Sequence, residues 1–527
     1  MSLEAFGVKN LRCLVDTGLV PIRPITVLVG RNSSGKSTFL RAFPLLRQSV
    51  ETRRNTPILW YGDEHPVDFG SLRDAASAWL DEPSVTFMFR LRLPEDAWVA
   101  LGNPAFDIEM TLRGGEIPHV SEYQIRVEGH DVQWLFDPRG RATTLSVDGS
   151  PVSLEGALSL GGTAHLLPTL QPGETLGVSY SGSTEALSFE HIDYESRADE
   201  VLLGSVVAAL TPLFHGKTSE STIREVADHL FIGTSGAMLS HLASLSSHKQ
   251  FQQSMSALLD LSRVDDNLAR IQEIVSAATA RMSPFIIEAA DQVLTHFMSR
   301  VAYLAPLRVS AQRAYRITNY AVDQVDPDGK NLAMFLRSLS RAETESFAAF
   351  TQSVLGFDAS VRPAGIHAEI LVRAGSSKRL SNLVDVGFGY SEVLPLAAVL
   401  WNSCIRPSLS GREPVPLVAV EQPELHLHPA HQARLARMLV EAVSKSPGTR
   451  IVVETHSESL INGLGKLIYE GAIKASDVQI ALFDQDDETE KTSVRLAGYR
   501  DNGALHDWPY GFLSPVAARR APPAAAE

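Results

Sequence analysis

The sequence predicts an α/β fold with a mixed, largely parallel core sheet, an antiparallel β lobe and a helical insertion domain. Three observations carry that expectation. An apolar run, Ile25 to Val29, passes through a glycine-bounded loop into a segment whose apolar residues Phe39, Leu40, Phe43 and Leu46 recur at helical spacing. After Val301, apolar strand-like runs alternate with helix-like stretches, the order that builds a sheet with crossover helices. Between these halves the pattern changes twice, first to short alternating runs and then to a long stretch without strands.

Taken in order, the first element is the strand at Ile25–Val29, the loop Gly30 to Gly35, and the helix that follows. From about Val85 to Val147, runs such as Val85 to Leu91 and Tyr123 to Val127 alternate in polarity and are broken by Gly, Pro and Asp, which is the signature of antiparallel strands. Between Ser196 and Arg300, segments rich in Ala, Leu, Ser and Glu take over, with helical spacing over Phe251 to Ser262 and Leu268 to Met298. No heptads are sustained there, so a long coiled-coil arm is not expected. Strands are expected again near Glu369–Arg373, Val415–Val420, Arg450–Glu454 and Gln479–Phe483. The expected division is an N-terminal lobe over 1–190, a helical insertion over 191–300, a C-terminal lobe over 301–515 and a frayed Ala/Pro/Arg-rich tail over 516–527.

Composition narrows the function classes. The 527 residues are 44% hydrophobic and 20% charged, an ordinary globular balance. No apolar stretch approaches the ~20 residues of a spanning helix, and the sequence starts without a basic segment and apolar run, so a cytoplasmic protein with no membrane role is expected. Cys13 and Cys404, far apart in sequence, fit a reducing compartment and exclude a thiolate zinc site. With a net charge of −14, nucleic acid would have to be held by a local basic patch. The candidate patch is Arg308, Arg313 and Arg316 with Tyr315; the alternative for that run is a solvated segment paired with nearby acids.

The chemistry-bearing motif is Gly30-Arg31-Asn32-Ser33-Ser34-Gly35-Lys36-Ser37-Thr38, which satisfies G-x-x-x-x-G-K-[ST] after a strand and at a helix start. Glycines let backbone N–H groups wrap phosphates, the helix N-terminus adds its dipole, Lys36 neutralises phosphate oxygens and the Ser37 hydroxyl ligates Mg²⁺. Downstream, Pro416 to Val420 is an apolar run ending in Glu421, from which a carboxylate can reach the metal. A third run, Arg450 to Glu454, leads to Thr455-His456-Ser457, with His456 placed to touch a γ-phosphate. The histidines of Glu424-Leu425-His426-Leu427-His428-Pro429-Ala430-His431 superficially suggest zinc, but are read as a loop leading to a helix that Pro429 opens.

These blocks resemble the ABC-type ATPase heads of the RecF, SMC and OLD families. The similarity is greatest to the bacterial AAA-type group whose acidic strand reads as Glu421-Gln422-Pro423-Glu424-Leu425-His426-Leu427-His428-Pro429 does. Further matching blocks are Tyr303 to Arg308, Asp385 to Ser391 and Trp508 to Phe512. The resemblance implies an ABC-type P-loop NTPase head using ATP and Mg²⁺, working as a homo-oligomer in which two ATP molecules are sandwiched between subunits. It implies that Gly387, Gly389 and Ser391 cap the partner's ATP, although the usual Ser-Gly-Gly core is missing. It further implies control of a separate effector, such as a nuclease in antiviral defence, while slow ATP hydrolysis is expected from this chain's departure at Gln422, since glutamine cannot act as a base; a DNA-repair or chromosome clamp and a non-hydrolysing scaffold are the alternatives. Where such heads place Asp then Glu, this chain has Glu421-Gln422. Gln422 could orient water by hydrogen bonding and Glu424 could supply the carboxylate.

Overall fold

The computed structural model describes residues 2–62, 65–93, 105–114, 117–154, 156–161, 163–173, 179–180, 198–230, 235–245, 249–258, 264–306, 308–318, 321–374, 379–386 and 388–508. The expected tail and most of the Trp508–Phe512 block lie outside the described residues, as does Gly387. The chain divides into two compact units, residues 20–44 with 300–527 and residues 1–19 with 45–299. The boundary falls inside the helix Lys36–Glu51, after Pro44.

The first of these units is built on a sheet of order Thr492–Tyr499, Val478–Gln485, Ile25–Gly30, Arg450–Glu454, Leu417–Glu421 and Ala302–Leu304. Neighbours run parallel except for Thr492–Tyr499, which pairs antiparallel with Val478–Gln485. Its central strands are apolar along their whole length because helices cover the sheet, as parallel sheets require. Ile25, Val27, Val29, Val418, Val420, Ile451, Val453, Ile480 and Leu482 join one core with Leu396, Leu400, Leu439, Leu460 and Leu464 of the helices Phe388–Cys404, Pro429–Lys445 and Glu458–Tyr469. Trp401 fills that core edge-on to Phe347, with ring centroids 5.5 Å apart, and donates its indole N–H to Ser346 Oγ. A smaller antiparallel sheet joins Phe357–Ala364, His367–Ala374, Tyr315–Arg316 and Ser381–Asn382.

The other unit holds an antiparallel meander in which Ser84–Arg92, Ala105–Arg113, His119–Val127, His130–Phe136, Ala142–Val147 and Ser150–Pro151 pair in sequence order. Ser2–Leu11, a strand the sequence reading did not mark, pairs antiparallel with Ser84–Arg92. The helical stretch forms Asp199–Leu210, Glu220–Asp228, Ser235–Leu245, Lys249–Leu258 and Val264–Met298, with a core of its own around Val206, Leu210, Phe251 and Ile274. It shares a unit with the β meander: buried Trp134 donates to Ser283 Oγ at 2.9 Å, and Asp291 accepts from the backbone N–H groups of Leu166 and Leu167 at 2.7 and 2.8 Å. Among the described residues no helix is long and apolar enough to cross a membrane.

Candidate functional site

Parallel register brings the candidate residues together at the carboxyl ends of three neighbouring strands. Glu421 lies opposite Glu454, and Glu454 opposite Leu28, two residues before the phosphate loop. Gly30 ends its strand where a Cβ would come within 2.6 Å of both Phe483 O and Ser34 Oγ, so no larger residue fits there. Gly35, at φ +85°, makes the turn into the helix Lys36–Glu51 in a conformation L side chains rarely adopt. Arg31, Asn32 and Ser33 are exposed at the loop tip, while Ser34, Gly35, Lys36 and Thr38 are buried.

Lys36, only 3% exposed, donates to Arg31 O at 2.6 Å, and Ser34 Oγ donates to the same carbonyl at 2.9 Å. The loop thus holds its own lysine by a backbone carbonyl. Ser37 Oγ donates to Glu454 Oε1 at 2.9 Å. Glu454 is 1% exposed, and its second oxygen, Oε2, is buried and accepts no hydrogen bond among the described residues. Burial raises its carboxyl above the ordinary range, the Ser37 hydrogen bond opposes that, and neighbouring Glu421 raises it further.

Glu421, also 1% exposed, is the more completely satisfied of the two. Arg41 grips it in a fork, Nε to Oε1 at 2.7 Å and Nη2 to Oε2 at 2.8 Å, and the Tyr303 hydroxyl donates to Oε1 at 2.7 Å. The Glu421 hydrogen bond raises the Arg41 pKa, and burial together with the carboxylate raises that of Tyr303, so both donors keep their protons. Gln422 follows at φ +40°, a left-handed backbone unusual for a side chain of this size. Its amide Nε2 donates to Glu454 Oε1 at 3.2 Å, and its backbone N–H to Glu454 O at 2.9 Å.

Glu424 does not point at open solvent. It is buried, and Oε1 accepts the backbone N–H of His456 at 2.6 Å. Its carboxyl is raised, first by burial, with the His456 hydrogen bond opposing. His456 itself is exposed at the strand end, its pKa lowered by partial desolvation and then by Lys36. Ser457 caps the next helix by accepting from Leu460 N–H at 3.1 Å, and donates to Gln432 Oε1. Pro429 opens the helix Pro429–Lys445 as expected.

Of the expected capping residues, Gly389 and Ser391 lie in the first turn of the helix Phe388–Cys404, with Ser391 buried at 8% exposure. The basic patch needs correction. Arg308 is withdrawn from solvent: its side chain is buried, with Nη1 3.6 Å from Glu392 Oε2 and 3.3 Å from Glu392 O, because Glu392 supplies the counter-charge inside the fold. Arg308 therefore cannot serve a nucleic-acid surface in this arrangement, which leaves Arg313, itself paired with Asp385, and Arg316 exposed. Arg41, Tyr303 and Glu454 were missed by sequence reasoning. Arg41 lies one helical turn beyond Ser37, a helical spacing visible in the sequence, whereas the place of Glu454 beside Glu421 comes from strand pairing.

A family model described as "AAA ATPase domain" matches residues 1–83, and one described as "AAA domain, putative AbiEii toxin, Type IV TA system" matches residues 306–462. A stretch of 48 residues is 48% identical to an OLD nuclease of Thermus scotoductus, and covers 9% of this chain and 9% of that protein's length. Among solved structures, the SMC head bound to the C-winged helix domain of ScpA aligns at 12% identity over 94% of this chain and 97% of that one, with a TM-score of 0.33. The SMC head domain from Thermotoga maritima aligns at 10% identity over 94% and 98%, with a TM-score of 0.34. One AAA match contains the phosphate loop and the other contains Glu421, Glu454 and His456, so over these two stretches the chain is similar to AAA ATPase domains.

Proposed function

We propose that this ATPase is a dimeric sensor or clamp that hydrolyses ATP slowly and governs a separately encoded effector, a nuclease in bacterial antiviral defence. The observation that carries the reading is that the acids of the site are held in internal contacts. Glu421 is occupied by Arg41 and Tyr303, one oxygen of Glu424 by the His456 backbone, and the position after the strand acid is a glutamine. A chain in this state must exchange those contacts before a carboxylate can polarise water, which supports slow turnover. The OLD nuclease relative and the toxin–antitoxin family description support an effector of the nuclease or toxin class.

In this reading the N–H groups of Gly30 to Thr38 receive the phosphates of ATP, and Lys36 leaves the Arg31 carbonyl to bind the terminal oxygens. Mg²⁺, when bound, neutralises charge on the phosphates; Ser37 and Glu421 would hold it, and the buried, unbonded Glu454 Oε2 beside Ser37 fits a site built for a cation. Gln422 orients water through its amide, with Glu424 the alternative carboxylate, and His456 contacts the γ-phosphate. Gly387, Gly389 and Ser391 of a second subunit close the site.

Sedimentation velocity with ATP or ADP, run beside a phosphate-release assay, tests the proposal. A dimer that persists in ATP, dissociates in ADP and is absent in Lys36→Ala is expected. Turnover that is undiminished when the chain is monomeric would overturn it.

A further inference from the structure

We infer that Glu454 is a metal-binding carboxylate of the nucleotide site, the partner of Ser37 in holding the divalent cation. The inference rests on reading Gly30–Thr38 as the nucleotide loop and concerns which acid serves it. Two carboxylates stand side by side on adjacent parallel strands, each 1% exposed. Their surroundings differ. Glu421 has both oxygens committed to three strong donors, two from a guanidinium that lies across it. Among the described residues, Glu454 receives only the Ser37 hydroxyl and the Gln422 amide, both on Oε1, and keeps Oε2 buried without a hydrogen bond.

A buried carboxylate oxygen without a donor is costly, and native structures retain such groups where something else binds them. Charge bookkeeping points the same way. Arg41 balances Glu421, whereas the cationic group paired with Glu454 is Lys36, 4.0 Å away. When Lys36 turns to phosphate, Glu454 is left as a desolvated anion beside both Glu421 and the nucleotide. A divalent cation held by Ser37 and Glu454 would remove that repulsion, and oxygen donors of this kind are what Mg²⁺ takes. Gln422 then has a second role: its strained backbone and its amide fix the orientation of Glu454.

The experiment is equilibrium binding of a fluorescent ADP analogue to the full chain in EDTA and in Mg²⁺, for the wild type, Glu454→Gln and Glu421→Gln, with a melting curve for each. Direct Mn²⁺ binding in the presence of ADP is followed by electron paramagnetic resonance. Glu454→Gln is expected to bind the analogue in EDTA at least as tightly as the wild type, and to lose about tenfold or more of the tightening that Mg²⁺ gives and of Mn²⁺ affinity. Mg²⁺ tightening equal to that of the wild type would overturn the assignment. Equal weakening in EDTA and Mg²⁺ would also overturn it, by showing a structural role alone. A wild type that binds no nucleotide in either condition would instead sink the reading of the loop itself. Should Glu454→Gln fail to melt cooperatively, Fe²⁺-directed backbone cleavage of the wild type with ADP replaces it. Cuts at Ser37 and Glu454 are expected, and cuts near Glu421 with none near Glu454 would overturn the inference.

Discussion

Gln422 stores backbone strain where the chain leaves a buried strand beside two glutamates. A non-glycine residue at φ +40° costs on the order of 1 kcal/mol or more. Gln422→Gly is therefore expected to leave the urea midpoint nearly unchanged, because relief of strain offsets the lost amide hydrogen bond. Gln422→Val, β-branched at a positive φ, is expected to cost about 2 kcal/mol. Arg41→Ala leaves Glu421 buried with only the Tyr303 hydroxyl, and a loss of about 2 kcal/mol measured by denaturant unfolding is expected, relieved in part by Glu421→Gln in the double variant. A simpler check concerns Cys404, whose thiol burial pushes up to about 12; native protein at neutral pH should leave it unmodified by iodoacetamide, while denaturation exposes it. Lys36, Ser37, Glu421 and His456 were legible in the sequence because each belongs to a short motif whose spacing carries its chemistry. Arg41, Tyr303 and Glu454 were not, because each acquires its meaning from a residue more than a hundred positions away, through sheet register that a one-dimensional reading does not supply.

The helix Val264–Met298 shows the same division at the level of elements. Its existence followed from apolar spacing, but not its attachment, which depends on two polar groups on its buried face. Ser283 receives Trp134, and Asp291 accepts three backbone N–H groups of the segment before Thr169, those of His165, Leu166 and Leu167. Burial raises the Asp291 carboxyl, with the Leu167 and Leu166 hydrogen bonds opposing. Asp291→Ala would orphan those N–H groups in a dry setting, and a loss of about 2 to 4 kcal/mol is expected by urea denaturation. Asp291→Asn, which retains one acceptor oxygen, should recover part of it. The helical segment was expected as a separate insertion between two lobes; its core is its own, yet these contacts place it in one compact unit with the antiparallel meander. The α/β class was readable because period-two and period-3.6 patterns are local, whereas the grouping of elements into units is a property of contacts.

For the whole molecule, two units with separate cores imply that nucleotide binding should be felt unevenly. Every residue of the site belongs to the unit made of residues 20–44 and 300–527. At about a hundredfold excess over its dissociation constant, Mg-ADP stabilises what it binds by roughly 2.7 kcal/mol. Hydrogen exchange should therefore slow in the strands Ile25–Gly30, Leu417–Glu421 and Arg450–Glu454 and stay unchanged in the meander Ser84–Val147; uniform slowing would contradict the division. The position of Ile25–Gly30 in the sheet bears also on how the protein is born. That strand precedes both of its parallel neighbours, Arg450–Glu454 and Val478–Gln485, by several hundred residues of chain. On the ribosome the phosphate-loop sequence must wait, unpaired and apolar, while several hundred residues emerge. A chain stalled before Arg450 would carry the motif without the pocket, so ATP can engage only a polypeptide that has grown past that strand.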